Sequence, residues 1–244
     1  MTWLLLTPAL LLMALIFGWP MLRYAWLSFH ANSVLTGLVP VANGGANWMR
    51  LLADDRFWQD VLQTSRFALV SVTAELFLAL LIALLLDQRW RGRGAVRALT
   101  LLPWALPTTM MALGWRWIFN TPYGPLEAVA GFVGLGPLNL MASPQWTWLA
   151  TVVADVWKTT PFITLILLAG LQTIPADLYA AFRLEGGRSI QALRDITLPL
   201  LLPYILLSLL FRLAQAFGVF DLIQVLTGGC LLYTSDAADD GSRG

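Results

Sequence analysis

Five times in 244 residues the chain runs through twenty or more mostly apolar residues, at about 3–29, 61–86, 98–119, 145–171 and 200–226. About 20 residues of helix cross the hydrocarbon core of a bilayer. Lipid offers no partner to a backbone N–H or C=O, so a run of this length crosses as a helix that satisfies its own backbone. Composition agrees, with 58% hydrophobic residues and 12% charged, against roughly 25% charged in an ordinary soluble domain. A soluble fold of this size has nowhere to put so much apolar surface. The expected fold class is therefore all-α, a polytopic membrane helical bundle with five spans visible in the sequence. The first run, interrupted by Pro20 and Arg23, has no basic leader and outlasts the apolar core of a signal peptide, so it reads as a retained helix.

Several function classes fall away on composition. A net charge of +1 leaves no basic stripe for nucleic acid. A single cysteine, Cys230, excludes an internal disulfide framework, and a single histidine, His30, excludes the paired-histidine zinc helix of a metalloprotease. No metal site and no catalytic residue is expected. The sequence has neither a Gly-x-x-x-x-Gly-Lys-Ser/Thr phosphate loop nor a Gly-x-Ser-x-Gly nucleophile elbow.

The connections differ in charge, and basic connections stay on the cytoplasmic side. The segment 88–97 carries Arg89, Arg91, Arg93 and Arg97 without an acid, and 172–199 carries Arg183, Arg188 and Arg194. Residues 120–144 have no basic residue, and 30–60 have only Arg50 and Arg56. This pattern predicts a cytoplasmic amino terminus, with 88–97 and 172–199 inside. Phe57-Trp58, just before the second span, suits the headgroup level.

Ionisable residues within spans face a cavity or a partner because lipid exposure is costly. Glu75 lies in the second span, and Asp155 and Lys158 in the fourth. Asp155 and Lys158, three apart, share a helical face and are expected to pair, either locking helix packing or forming a polar wall. Glu75 reads as a helix–helix hydrogen bond. Arg116, Arg212 and Asp221 fall near predicted span ends, where long side chains snorkel to water. Pro103, Pro107 and Pro161 are expected either to break their helices beside a cavity or merely to kink them.

The segment 174–199 lies between the fourth and fifth spans. Pro175 and Asp177 suit a first helical turn, and Leu178, Ala181 and Phe182 fall on one face. Gly186-Gly187 permits the left-handed turn that ends this helix. Ser189 can cap a second helix, and Pro199 marks its handover to the fifth span. The prediction is a short helix–turn–helix at the inner membrane surface.

These residues resemble the EAA loop of ATP-binding-cassette (ABC) importer permeases. Leu178-Tyr179 and Ala181 fit its Leu-Tyr-Glu-Ala-Ala, with Ala180 in place of the glutamate and Phe182 in place of the second alanine. Glu185-Gly186-Gly187 stands where the loop has Asp-Gly-Ala, and Ile196-Thr197-Leu198-Pro199 matches in full. Outside the loop, Leu102-Pro103-Trp104-Ala105-Leu106-Pro107, Trp115-Arg116-Trp117, Asp155 to Phe162 and Val219-Phe220-Asp221 look like the carbohydrate-importer branch. That is the maltose, trehalose and glycerol-phosphate type served by a binding protein.

The resemblance implies a type I ABC importer permease in a bacterial or archaeal cytoplasmic membrane. Its partners would be a second permease subunit, two cytoplasmic ATP-binding subunits and an extracytoplasmic sugar-binding protein. ATP and magnesium would sit on the partner ATPase, with no cofactor on this chain. Leu178, Tyr179, Ala181, Phe182, Glu185, Gly186 and Gly187 would couple to the ATPase. A sugar needs aromatic platforms and amide or carboxylate partners, which Trp115, Trp157, Gln215 and Asp221 could supply, although tryptophans also serve as interfacial anchors. Thr227-Gly228-Gly229 looks like the start of a loop that precedes a sixth helix in this family. That implies a permease domain over 1–229, a sixth span missing by truncation, and a non-native or disordered tail over 230–244. Rival readings are a non-transporting membrane scaffold and an intramembrane enzyme.

Overall fold

The computed structural model describes residues 2–31, 39–135 and 137–228. Side chains are described from residue 6 onward, and the expectations for the 230–244 tail and for Gly229 lie outside the described residues. The chain divides into two units, Met1–Leu62 and Gln63–Gly244.

In the first unit, α1 (Thr2–Met13) passes through a π-turn (Ala14–Gly18) into α2 (Trp19–Ser28). Its described side chains are exposed almost throughout, including Leu11, Leu15, Phe17 and Leu22, as a single helix destined for lipid requires. Pro20 falls at the second position of α2, where its missing N–H is tolerated within the π-turn region. A two-residue ribbon follows, with β1 (His30–Ala31) antiparallel to β2 (Val41–Ala42) and His30 opposite Ala42. Asn47, on α3 (Ala46–Leu52), donates to the carbonyls of Ser28 and His30, both at 3.0 Å, and so ties the ribbon to the short helix.

The second unit is a helical bundle around α8 (Pro144–Leu171), which follows the short α7 (Pro125–Phe132) and is the helix with the longest buried surface. One apolar cluster joins Ala79, Ala83 and Leu86 of α4 (Asp55–Asp87), Ile163, Leu167 and Leu171 of α8, and Leu201 of α11 (Leu198–Phe217). Another joins Met111 and Ala112 of α6 (Thr108–Ile118), Ala150 and Ala154 of α8, and Leu222 and Leu226 of α12 (Asp221–Thr227). Small residues dominate the contact face of α4, which lets the helices approach closely. Gly170 serves the same end between α8 and α11: a Cβ there would stand 2.6 Å from the Tyr204 ring. Gly170→Val is therefore expected to lower stability by about 1–3 kcal/mol through overpacking, checked by thermal denaturation in detergent against Gly131→Val, whose site has open space.

Among the described residues four helices are long and apolar enough to cross a membrane: Leu6–Ser28, Asp55–Asp87, Pro144–Leu171 and Ser189–Phe217. A fifth crossing is available if α5 (Arg93–Ala105) and α6 count as one broken span, bent by 94°. The third span expected over 98–119 is thus two helices, and of the two outcomes expected at Pro107 the structure shows the break: Leu106 and Pro107 are extended (ψ 137° and 133°). Pro107 removes the N–H that would have continued the ladder and biases Leu106 away from the helical region. Pro161 does not break α8. The helix continues through it to Leu171, and on either side the hydroxyls of Thr160 and Thr164 donate to the carbonyls one turn back, those of Val156 and Thr160, at 2.6 and 2.9 Å. The fifth expected span, 200–226, begins earlier and stops sooner. A π-turn (Leu193–Thr197) joins α10 (Ser189–Ala192) to α11, accommodating Pro199, and the helix ends at Gly218 before α12 restarts at Asp221. Pro199 thus marks no break between segment and span.

Two of the four arginines of 88–97, both in the first turns of α5, cap α4. Arg93 donates to the carbonyl of Asp87 at 3.3 Å and Arg97 to that of Leu86 at 3.2 Å, placing cations where the helix dipole is negative.

Candidate functional site

The segment 174–199 folds as a hairpin on the end of α11. α9 (Ala176–Leu184) starts after Pro175 and carries Asp177 in its first turn. Its end is a Schellman turn: the amide of Gly187 donates to Phe182 O at 3.0 Å and that of Gly186 to Arg183 O at 3.1 Å. Gly186 sits at φ +84° with open space around it, so its requirement is conformational. The close approach belongs to Gly187, where a Cβ would fall inside the Phe182 ring. Phe182 is thereby half-buried against its own turn, whereas Leu178, Ala181 and Glu185 remain exposed together with Leu184 and Ile190. Tyr179 points the other way: its hydroxyl and Thr197 Oγ1 lie 2.9 Å apart, so α9 is bonded to the base of α11. Arg188, not Ser189, stands at the cap of α10, its amide donating to Gln191 Oε1 at 2.8 Å.

Deep in the bundle, Arg212 of α11 joins the two acidic residues. Its Nε donates to Glu75 Oε2 at 2.6 Å, and its Nη2 donates to Glu75 Oε1 at 2.8 Å and to Asp155 Oδ2 at 3.0 Å. Thr159 donates to Glu75 Oε1 at 2.7 Å, and Arg212 Nη1 donates to Gln215 Oε1 at 3.2 Å. Glu75, Asp155 and Arg212 are 0%, 2% and 1% exposed. The expected Asp155–Lys158 pair is therefore corrected, since Asp155 is matched by Arg212. Arg212 does not snorkel either. It lies about four turns into the apolar length of α11 and faces the bundle, where two carboxylates need a cation. Glu75 does bond across helices, as its position in the sequence suggested. Lys158 turns toward the break between α5 and α6, donating to Leu106 O at 3.1 Å and to Thr108 Oγ1 at 2.7 Å.

Of the four residues proposed for substrate, two meet. The Trp115 and Trp157 rings pack edge to face with centroids 5.6 Å apart, and Trp157 stays 43% exposed. Gln215 is engaged by Arg212, and Asp221 is exposed at the start of α12. Arg212 and Thr159 complete the polar cluster but were not singled out as its members. The signal available was Arg212's place between Leu210 and Gln215 in a long apolar run.

A separate cleft of about 510 Å³ opens where α6, α8 and α12 converge, lined by Arg116, Asn120, Asn139, Ser143, Thr147 and Thr227 among others. Arg116 Nη1 donates to Val225 O at 3.4 Å, so its head holds the end of α12. No cluster of three or more His, Cys, Asp or Glu side chains suited to a metal ion occurs among the described residues.

The chain is similar to the trehalose/maltose transport system permease protein MalF of Thermococcus litoralis, at 40% identity over 227 residues, covering 93% of this chain and 77% of the relative. It is similar at 36% identity to the sulfoquinovosyl glycerol transport system permease protein SmoG of Agrobacterium fabrum, covering 93% of this chain and 73% of the relative. Among solved structures, the bacterial alginate ABC transporter in complex with an alginate pentasaccharide-bound periplasmic protein contains a chain that superposes with a TM-score of 0.76 at 18% identity, covering 98% of this chain and 85% of that one. The profile of the binding-protein-dependent transport system inner membrane component matches residues 75–238, from the buried Glu75 through the whole of α8, the hairpin and α12. This chain belongs to the family of inner-membrane components of binding-protein-dependent transport systems.

Proposed function

We propose that this chain is a permease subunit of an ATP-driven sugar importer, forming half of the translocation pathway. Its relatives include permeases whose names specify trehalose, maltose and sulfoquinovosyl glycerol. The observation that carries the coupling role is the hairpin 174–199, rigid at its turn, bonded through Tyr179 to α11, and exposing Leu178, Ala181, Leu184 and Ile190. An exposed apolar hairpin on a stiff base is suited to seat in a groove of a partner ATPase, where ATP and magnesium bind. Movement of that partner would then reach α11 directly. The amino terminus and the arginine-rich turn 88–97 face the cytoplasm in this reading. A second permease completes the pathway, two ATP-binding subunits drive it, and an extracytoplasmic sugar-binding protein delivers the substrate. Alternating access requires a bundle with two states, each favoured by a different ligand.

The aromatic corner of Trp115 and Trp157 offers the apolar face that a sugar ring stacks on, and Gln215 and Asp221 the polar partners. Reconstitution tests the reading as a whole. The chain, co-expressed with a second permease, an ATPase and a sugar-binding protein of such a system, is placed in proteoliposomes with radiolabelled trehalose or maltose. ATP-dependent accumulation that needs the binding protein is expected. An assembled complex that hydrolyses ATP yet accumulates no sugar from a panel of mono- and disaccharides would sink it.

A further inference from the structure

About two turns of α8, Asp155 to Phe162, touch nearly every neighbour in the bundle. Asp155 meets Arg212 of α11, Thr159 meets Glu75 of α4, Trp157 meets Trp115 of α6, and Phe162 stacks on Trp104 of α5 with centroids 6.0 Å apart. Lys158 is the charged residue of this stretch that the buried cluster does not use. Its ammonium reaches the residues on either side of the break between α5 and α6.

The break creates a need that Lys158 meets. Where α5 stops, its last carbonyls lose their helical donors. Leu106 is extended, so its carbonyl leaves the helix direction, and Pro107 has no N–H to offer. In a bilayer a freed carbonyl of this kind requires a partner from the protein. Lys158 donates to that carbonyl, at the negative end of the α5 dipole, and also to the hydroxyl of Thr108, the first residue of α6. The same ammonium lies in the field of Asp155 and Asp221. It therefore holds both halves of the broken span against α8 from one point.

We propose that Lys158 is a positioning residue, which latches the α5–α6 break to α8 and so fixes the 94° bend that sets Trp115 against Trp157. Freed of the latch, α5 and α6 straighten or fluctuate about Leu106-Pro107, and the aromatic corner loses its geometry. The consequence for uptake rests on the sugar-permease reading; the latch itself does not. Lys158→Arg keeps donors for both acceptors, whereas Lys158→Met keeps the length and removes them.

The test is a distance measured across the break by pulsed spin-label spectroscopy. Cys230 is replaced by serine, and labels are placed at the exposed Leu99 of α5 and Leu113 of α6, in the full chain assembled with its partner subunits in nanodiscs. Lys158→Met is expected to broaden the distribution and lengthen its mean by up to about 6 Å, from the helical rise on either side of the bend. Lys158→Arg is expected to retain the narrow distribution, and Thr108→Val to give an intermediate one that does not depend on the lysine variant folding. Uptake by Lys158→Met is expected to fall about tenfold, with the basal ATPase rate of the assembly unchanged. An unshifted, narrow distribution in both Lys158→Met and Thr108→Val overturns the latch even if uptake falls. A shifted distribution in an assembly that transports no sugar sustains the latch while the sugar reading fails.

Discussion

Replacing Arg212 by methionine is expected to destabilise the bundle by about 3–5 kcal/mol, the range found when one partner of a buried ion pair is removed. The reason is what remains. Glu75 and Asp155 stay fully buried, on two helices, with their shared guanidinium gone. Thr159 still donates to Glu75, but one hydroxyl cannot replace two charge-assisted bonds and a third to the neighbouring acid. The measurement is thermal denaturation of the detergent-solubilised assembly, read beside the amount of chain recovered from the membrane. The variant Glu75→Gln, Asp155→Asn, Arg212→Met removes all the charges together and is expected to recover much of the loss, because the desolvation cost disappears with the attraction. If the single variant is as stable as the unsubstituted protein, the triad is not what fastens α4, α8 and α11. The prediction differs from one based on an Asp155–Lys158 pair, in which neutralising those two together would be mild. With Asp155 matched by Arg212, that double change strips the buried triad of one acid as well as removing the Lys158 contacts, and it is expected to be severe.

The crossings were legible from apolar length alone, because a helix in lipid must be both long and apolar. What length could not give was continuity. Leu106-Pro107 and Gly218-Val219-Phe220 interrupt apolar runs without changing their hydrophobicity, so length leaves open whether Pro107 breaks or kinks the third span and carries the fifth on to Leu226. Pro161 and Pro199 look like equal candidates for a break, yet α8 runs on through the first and a π-turn absorbs the second. The turn at Gly186-Gly187 was legible because glycine takes a left-handed backbone more readily than any other residue, and the structure divides the roles between positive φ at one and close approach at the other. The ionic partners were not. Spacing of three along one helix suggests that Asp155 and Lys158 meet, but which charge faces which across helices depends on rotation about the helix axes. That rotation places Arg212 between two carboxylates and turns Lys158 to the broken span.

Both halves of the molecule's polar interior return to α8 and α11. The triad ties α11 to α4 and α8, and Tyr179 bonds α9 to Thr197 at the base of α11. A displacement of the hairpin therefore reaches the buried cluster through one continuous helical stretch, Ser189–Phe217. In the proposed transporter this is the mechanical route from the ATPase to the middle of the bundle.

Substitution at Gly186 probes the other end of that route, and a graded series separates backbone from bulk. Its φ of +84° lies in the region that L-residues adopt at a cost of about 1–2 kcal/mol, and asparagine enters it more readily than most. Nothing lies within 4 Å of a Cβ built there, so a side chain projects outward without a clash in the chain itself. Gly186→Asn is therefore expected to keep the turn and most of the uptake. Gly186→Ala should lose some of both through strain in the Schellman turn. Gly186→Trp adds to that strain a large ring on the exposed tip that the proposed ATPase groove must receive, and is expected to abolish uptake and weaken co-purification of the ATPase. Membrane insertion should be unaffected, because the tip lies outside every candidate crossing. Wild-type uptake by Gly186→Trp would remove the coupling assignment of the hairpin. Loss in Gly186→Asn equal to that in Gly186→Trp would show that bulk at the tip is not the determinant.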